Sequence, residues 1–291
     1  MTNLMVWSYQ YLIADVVVQV ESDSVACETG MQKFLCLYEP VQGKNADLIF
    51  RIRHQDQQFV FTLHANHAEE VLWMSDDADE VTAALEIHLY SKLVQFLNMK
   101  NILSIHSAVL HIDGAAIMFA GVSGAGKSSM CTAALLDGAA YLSDEFTLLD
   151  ADGFVHPFPR PMQWEHPLHP AFDRNAIEKT GLMRADYFDF PDAQGNTARC
   201  HLWYPTSIQR QPLLLTMIVL HQYKADIASV ECFEIPRFEG LSALPEHLHM
   251  QYGMAIDLPK LNQRIDKSCK FYRLHFPNVT DAWQVMKAKI S

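Results

Sequence analysis

Hydrophobic positions in the first part of the chain come in short runs, which then give way to one long periodic stripe. Tyr11 to Val20 (YLIADVVVQV) is short and β-branched and predicts a strand. Ala46 to Ile52 and Gln58 to Leu63 flank the polar stretch His54-Gln55-Asp56-Gln57, which predicts a hairpin whose turn carries no glycine. Val71 to Met74 predicts a further strand. From Asp79 to Leu97 the period changes. Val81, Leu85, Leu89, Leu93 and Leu97 recur every four residues, and Ala84 and Phe96 widen the stripe, so this segment predicts an amphipathic helix. Asp76, Asp77, Asp79 and Glu80 suit the positive end of its dipole.

Strand patterns return after residue 100. Ser107 to Ile112 and Ala115 to Ala120 bracket Asp113-Gly114, a hairpin signal. Pairing Ile112 with Ala115 and counting outward brings His106 opposite Gly121. Ser128 to Leu136 predicts a helix closed by Gly138, and Ala139 to Leu142 a second apolar strand. A strand-helix-strand unit predicts a parallel pair with a right-handed crossover. Phe146 to Leu149 and Phe154 to Phe158 predict a second hairpin; with Asp152-Gly153 as its turn, Arg160 returns opposite Glu145. Met162 to Ala198 has no clean period and predicts a lid or acceptor-binding loop. His166 and His169 stand close together there, but Pro167 and Pro170 make the stretch irregular rather than a metal site. Pro212 to Leu220 predicts a buried strand joined by Val230 to Ile235, and Leu241 to Met254 and Ala282 to Ile290 predict helices.

The chemistry concentrates in Gly121-Val122-Ser123-Gly124-Ala125-Gly126-Lys127-Ser128, which fits G-x-x-x-x-G-K-[ST], a phosphate-binding loop. It sits between a predicted strand and a predicted helix, the order that aims backbone amides and a helix N-terminus at an anion. Gly121, Ser123, Gly124, Ala125, Gly126, Lys127, Ser128 and Ser129 are the candidate nucleotide-binding residues. Lys127 suits the β- and γ-phosphates, and the Ser128 hydroxyl suits magnesium. Asp144-Glu145 follow the second strand, at the end where ligands of such folds bind. Paired acids beside a triphosphate can hold magnesium, as can Ser128, or take a proton from an attacking hydroxyl. His106, Asp144, Lys127 and Arg160 are the candidate catalytic residues, and Ser128, Asp144 and Glu145 the candidate metal ligands. The expected architecture is α/β: a smaller N-terminal α/β unit over residues 1–100 and a nucleotide-binding domain with a mixed sheet over 101–291.

Composition narrows the partners. With a net charge of −12 and no stripe of Lys or Arg, nucleic acid is not expected. Cys27, Cys36, Cys131, Cys200, Cys232 and Cys269 form no C-x-x-C pair, which suits a reduced cytoplasmic chain. Neither a signal peptide nor a membrane span is expected. Homo-oligomerisation is left open.

The residues from His106 to about Pro161 resemble the HPr kinase/phosphorylase superfamily, a phosphoenolpyruvate-carboxykinase-like branch of P-loop kinases. His106 lies 21 residues before Lys127, and Asp144 and Glu145 lie 17 and 18 after it. The segments Ile105 to Val109, Leu142 to Glu145 and Pro157 to Pro161 look closest to the HPr-kinase-related group. The resemblance implies a phosphoenolpyruvate-carboxykinase-like core, ATP or another nucleoside triphosphate with Mg2+, and transfer to a hydroxyl. The family's second acid is Asp where this chain has Glu145, and its downstream Glu-Ile-Arg-Gly signature is missing. These departures argue against phosphorolysis and against HPr as acceptor. The expectation is a kinase acting on Ser or Thr of a peptide or small protein. A small-molecule kinase for free serine or a sugar, and a nucleotide-gated binding module without transfer, are the alternatives.

Overall fold

Three tight turns shape the N-terminal unit. Ala14-Asp15, Asp56-Gln57 and Asn66-His67 each place two non-glycine residues at φ between 47° and 66°. Paired positive φ is the geometry of a two-residue hairpin turn whose twist matches that of its strands. The computed structural model describes residues 5–122, 124–164, 172, 177, 183–191, 196–247 and 258–290. It shows β1 (Trp7–Ile13) and β2 (Val16–Ser22) where the pattern predicts one strand over Tyr11 to Val20. The run divides because Ala14 and Asp15 reverse the chain, and neither residue advertises a turn. With β3 (Glu39–Val41), β4 (Leu48–Gln55), β5 (Gln58–Ala65) and β6 (Ala68–Ser75) they form a sheet of order β3-β1-β2-β4-β5-β6. The expected hairpin is present, with Gln55 paired to Gln58 around Asp56-Gln57. Helix α1 (Glu28–Leu35) has no counterpart in the pattern reading and buries Met31, Phe34 and Leu35. Helix α2 (Ala78–Met99) buries every member of the predicted stripe. The Asp77 carboxylate caps it by accepting from the N–H groups of Asp79 at 2.7 Å and Glu80 at 3.3 Å.

The chain divides into two compact units, Met1–Leu97 with Asp186–Leu202, and Asn98–Ala185 with Trp203–Ser291. The second contains β7 (Leu103–His106), β8 (Ala108–Ile112), β9 (Ala115–Ala120), α3 (Lys127–Leu136), β10 (Ala140–Ser143), β11 (Phe146–Leu149), β12 (Phe154–His156) and β13 (Met162–Trp164). β14 (Met183–Pro191) and β15 (Thr197–Pro205) follow, so the stretch expected to be a loop is strand in part. His166 and His169 lie outside the described residues. The chain then forms β16 (Leu213–Tyr223), β17 (Glu231–Ile235), α4 (Arg237–His247), α5 (Leu258–Arg264), β18 (Lys270–Phe276) and α6 (Val279–Ile290). Thus α4 begins before the predicted Leu241, and the predicted remainder to Met254 lies outside the described residues.

The main sheet runs β10-β8-β9-β16-β12-β11-β7, with β18 beside β16 and β17 beside β18. Its residues alternate between two cores. Ile117 and Phe119 of β9 pack with Met130 and Leu135 of α3 and Trp283 of α6. Met118 and Ala120 face the other way, toward Leu241 and Leu244 of α4 and Leu261 of α5. A sheet covered on both faces needs apolar residues at every position, which is why AAIMFA shows no alternation. β9 and β10 run in the same direction, as a crossover requires, but they are not adjacent. β8 lies between them, antiparallel to both.

The expected register of His106 is corrected. The β8–β9 hairpin pairs as predicted from Ile112–Ala115 to Ala108–Phe119 and ends there. His106 pairs with Phe146 instead of facing Gly121. The Ser107 N–H donates to the Glu145 carbonyl at 3.2 Å, and the hydroxyls of Ser107 and Thr147 share a bond of 2.7 Å. Segments 103–111 and 140–149 therefore form one antiparallel ladder, kinked at Ser107 on one side and at Asp144-Glu145 on the other.

The register of Arg160 also shifts. Leu148 pairs with His156 and Leu149 with Val155, one residue from the expected alignment. The Asp150 carboxylate accepts from the N–H groups of Asp152 (3.0 Å) and Phe154 (2.9 Å), closing a longer loop. After Pro157 the chain leaves β11, and the Phe158 N–H donates to Leu142 O at 2.9 Å. All six cysteines are free, and no helix among the described residues is long and apolar enough to cross a membrane.

Two glycines offer a test of the packing around this loop. Gly138 (φ +95°) closes α3, with its N–H on Leu135 O and the Ala139 N–H on Ala134 O, and a Cβ there would meet nothing within 4 Å. Gly153 has φ +87°, and a Cβ would come within 2.4 Å of the Arg264 carbonyl oxygen. Gly138→Ala should cost about 1 kcal/mol, the backbone penalty alone. Gly153→Ala should cost about 2 kcal/mol or more, since backbone must also move. Equal losses in urea denaturation would show that the Arg264 contact imposes no constraint.

Candidate functional site

Residues 121–126 link the last residue of β9 to the first of α3, and Ser123 lies outside the described residues. The glycines are required for two different reasons. Gly124 (φ +77°) and Gly126 (φ +97°) occupy the left-handed region. Gly121 is needed for space, since a Cβ there would lie 2.8 Å from the Ala125 Cβ and 3.0 Å from the His221 carbonyl oxygen. The Ala125 N–H donates to Val122 O at 3.1 Å, and the Met130 N–H opens the helix ladder on Gly126 O at 2.9 Å.

Lys127 folds back over this loop. Its Nζ donates to the carbonyls of Gly121 at 3.0 Å and Val122 at 3.3 Å. The side chain is buried, which pulls the ammonium pKa down, while Asp144 and Glu145 act in the opposite direction. Ser128 follows in the first helical turn, and Ser129 beside it is buried.

Asp144 is 7% exposed, and its Oδ1 is buried without a hydrogen-bond partner. Burial pushes its pKa up to about 7. A hydrogen bond from the Ser128 side chain opposes this, Glu145 adds to it, and Lys127 and Arg160 oppose it. Ser128, Glu145, Lys127 and Arg160 are therefore all within electrostatic reach of one buried carboxylate. Arg160 reaches this region because the chain crosses the end of β10, where the Tyr141 hydroxyl donates to Arg160 O at 2.9 Å. The His106 Nδ1 lies 3.6 Å from Glu145 Oε1, and the ring is set edge-on to Phe146. The ladder kink thus brings His106 to Glu145.

No group of three or more His, Cys, Asp or Glu among the described residues is arranged to hold a metal. The local donors are oxygens: the Ser128 hydroxyl and the carboxylates of Asp144 and Glu145. That set suits magnesium, which keeps waters and binds through one or two carboxylates plus phosphate oxygens. The unpartnered Asp144 Oδ1 fits a cation or a proton equally well.

Sequence reasoning missed the contribution of β16 and β18. His221, fully buried at the end of β16, backs Gly121 and stacks on Phe276 with 17° between the rings. The signal available was a polar residue terminating the apolar run Leu213 to Leu220.

No family model matches the chain, and no curated protein matches it. Among solved structures, the Hpr(Ser) kinase/phosphatase from Coxiella burnetii matches at 10% identity and a TM-score of 0.28, covering 65% of this chain and 98% of that one. The resemblance to an HPr-kinase/phosphatase-type fold is distant, and at that score nothing is transferred from it to individual residues.

The raised pKa of Asp144 has a stability consequence. The folded state holds this proton up to about pH 7, whereas an unfolded chain loses it near 3.8. Its contribution is full below pH 4 and is lost as pH rises through 7. Without nucleotide, Asp144→Asn should therefore raise the Tm at pH 8, by an amount on the order of a few kcal/mol in stability, and change it little at pH 4. A lower Tm at pH 8 would show that the carboxylate is ionised and stabilising in the folded chain.

Proposed function

We propose that this chain is a magnesium-dependent phosphotransferase that moves the terminal phosphoryl group of ATP, or another nucleoside triphosphate, to a hydroxyl. The observation that carries this reading is the buried Asp144 carboxylate, held beside Lys127 and Ser128 at the mouth of the glycine loop. An acid beside a bound phosphate repels the ligand unless it holds a cation or takes a proton. Proton removal from an acceptor hydroxyl does require one within reach, with a pKa near the working pH.

Each group has a role in this reading. The amides of the loop and the N-terminus of α3 bind the phosphates. Lys127 exchanges its two carbonyl partners for phosphate oxygens. Ser128 and Glu145 would hold magnesium, which would supply positive charge against the phosphates. His106 holds Glu145 in position. The acceptor oxygen forms a bond to the γ-phosphorus as the bond to the bridging oxygen breaks. The diphosphate leaves, and the hydroxyl proton passes to Asp144. Arg160 steadies the equatorial oxygens during transfer. The favoured acceptor is Ser or Thr in a peptide or small protein, with free serine or a sugar as the small-molecule counterpart. Mass spectrometry of a cell extract incubated with the protein and γ-labelled ATP would identify it.

A second reading exchanges the two acids, and the Ser128 contact with Asp144 favours it. Magnesium titrations of turnover separate the two. With Asp144 as base, Asp144→Asn should cut transfer by ~10²-fold or more at an unchanged half-saturating magnesium concentration. Glu145→Gln should raise the magnesium requirement. The reverse pattern assigns the base to Glu145. Lys127→Ala should abolish transfer; full turnover in that variant would remove the nucleotide assignment.

Arg160→Lys keeps the charge but loses the planar fork that grips a phosphoryl group. Turnover should fall at least tenfold with the Tm unchanged, on the usual scale for such clamps. Unaltered turnover would make Arg160 a purely structural partner of Tyr141 and Asp144.

A further inference from the structure

A cavity of about 270 Å3 lies beside Val122 of the glycine loop. Val122, Leu220 and Ala243 give it apolar walls, and Gln222, Arg273 and His275 give it polar ones. Its place follows from strand register. Ala120, the last residue of β9, aligns with Leu220, and Leu220 with Arg273, so β16 and β18 each run three residues past the end of β9 beside the glycine loop. All three strands are parallel, and ligands of open α/β sheets collect at such carboxyl ends. β10, which ends one residue before the acids, lies two strands from β9 in one direction, and β18 lies two strands away in the other. At about 4.8 Å per strand, the acids and Arg273 flank the loop at roughly 10 Å on each side.

A nucleoside triphosphate seated on this loop has two ends. Its transferable end must face the acids, so its nucleoside must leave on the opposite side. We propose that the cavity bounded by Val122, Ala243, Gln222 and Arg273 is the nucleoside subsite of this chain. The inference rests on the phosphotransferase reading above and assigns the binding region for the other half of its donor. The size agrees: pockets for whole ligands measure about 300–1,000 Å3, and this one suits part of a ligand. The chemistry agrees as well. Arg273 donates through an Nη to Glu239 at 2.9 Å, which fixes the guanidinium, while its Nε is buried without a hydrogen-bond partner. A ring nitrogen, carbonyl or ribose hydroxyl would supply the missing acceptor. The Gln222 amide offers donor and acceptor together, as a base edge demands. His275 is held from outside the cavity by Glu231 and Lys224, each 3.3 Å from its Nδ1.

Calorimetry with three probes tests this: magnesium-ATP, magnesium-GTP and magnesium-tripolyphosphate. The wild-type protein should bind at least one nucleotide more tightly than tripolyphosphate. Ala243→Trp, which fills the cavity, and Arg273→Met, which removes the buried donor, should each weaken that nucleotide by about tenfold or more. Tripolyphosphate affinity should stay unchanged in both variants, which also reports that the loop remains folded. Tripolyphosphate as tight as both nucleotides in the wild type would overturn the subsite and leave the loop assignment standing. So would variants that lose all three probes equally, or that lose none. A wild-type protein that binds no probe would overturn the phosphotransferase reading, and the subsite with it.

Discussion

The second unit is organised by the cost of keeping a carboxylate and an ammonium dry within the same few ångströms. Neither Asp144 nor Lys127 is stable there alone, because burial favours the neutral form of each. Lys127 is held by two loop carbonyls, and these are available only because Gly121, Gly124 and Gly126 let the backbone fold tightly beneath it. Asp144 is held by its position in a ladder and by the Ser128 side chain. The kink at Ser107 and Asp144-Glu145 takes both segments out of regular pairing at the same level. The acid can therefore leave the ladder without leaving a strand edge open, since the Ser107 N–H still finds the Glu145 carbonyl.

What was legible in the sequence was what is local. The glycine loop, the Asp113-Gly114 turn and the α2 stripe are each specified within a window of a few residues, and each forms with the expected register. The failures lie where a distant segment decides. Nothing between Ser107 and Ile112 indicates that the ladder must change partners at Ser107, because the reason is Glu145 and Thr147, some forty residues on. The register of Arg160 differs by one residue because the Asp150 carboxylate accepts from the Asp152 and Phe154 N–H groups and closes a longer loop. Ala14-Asp15 hid a turn, because positive φ at two ordinary residues leaves no compositional trace. β18 was missed although KFYRLHF alternates: Lys270, Arg273 and His275 read as surface until β16 and β17 supply its neighbours.

The site was legible as a set of residues and much less so as a geometry. His106, Lys127, Ser128, Asp144, Glu145 and Arg160 do gather in one region, but the strand registers expected for His106 and Arg160 are not the ones that form. His106 stands with Glu145, and Ser128 with Asp144. Spacing along a chain fixes which strand end a residue reaches, and the bend of the backbone fixes which of two adjacent acids it meets. Asp144 and Glu145 are consecutive and therefore point to different sides. One enters the buried space under Lys127 and the other keeps partial access to solvent.

That divergence gives the two acids different electrostatic characters from almost identical chemistry. Asp144 sits where water cannot reach and its proton is held to about pH 7, while the better-solvated Glu145 keeps a histidine neighbour. A pair of equally solvated acids would both be ionised at neutral pH and would repel an incoming triphosphate together. Burying one of them makes its charge conditional. Glu145 pushes toward the neutral form, and the charges of Lys127 and Arg160 push toward the ionised one. The strand order gives this arrangement a direction: the acids lie to one side of the loop and the Arg273 cavity to the other.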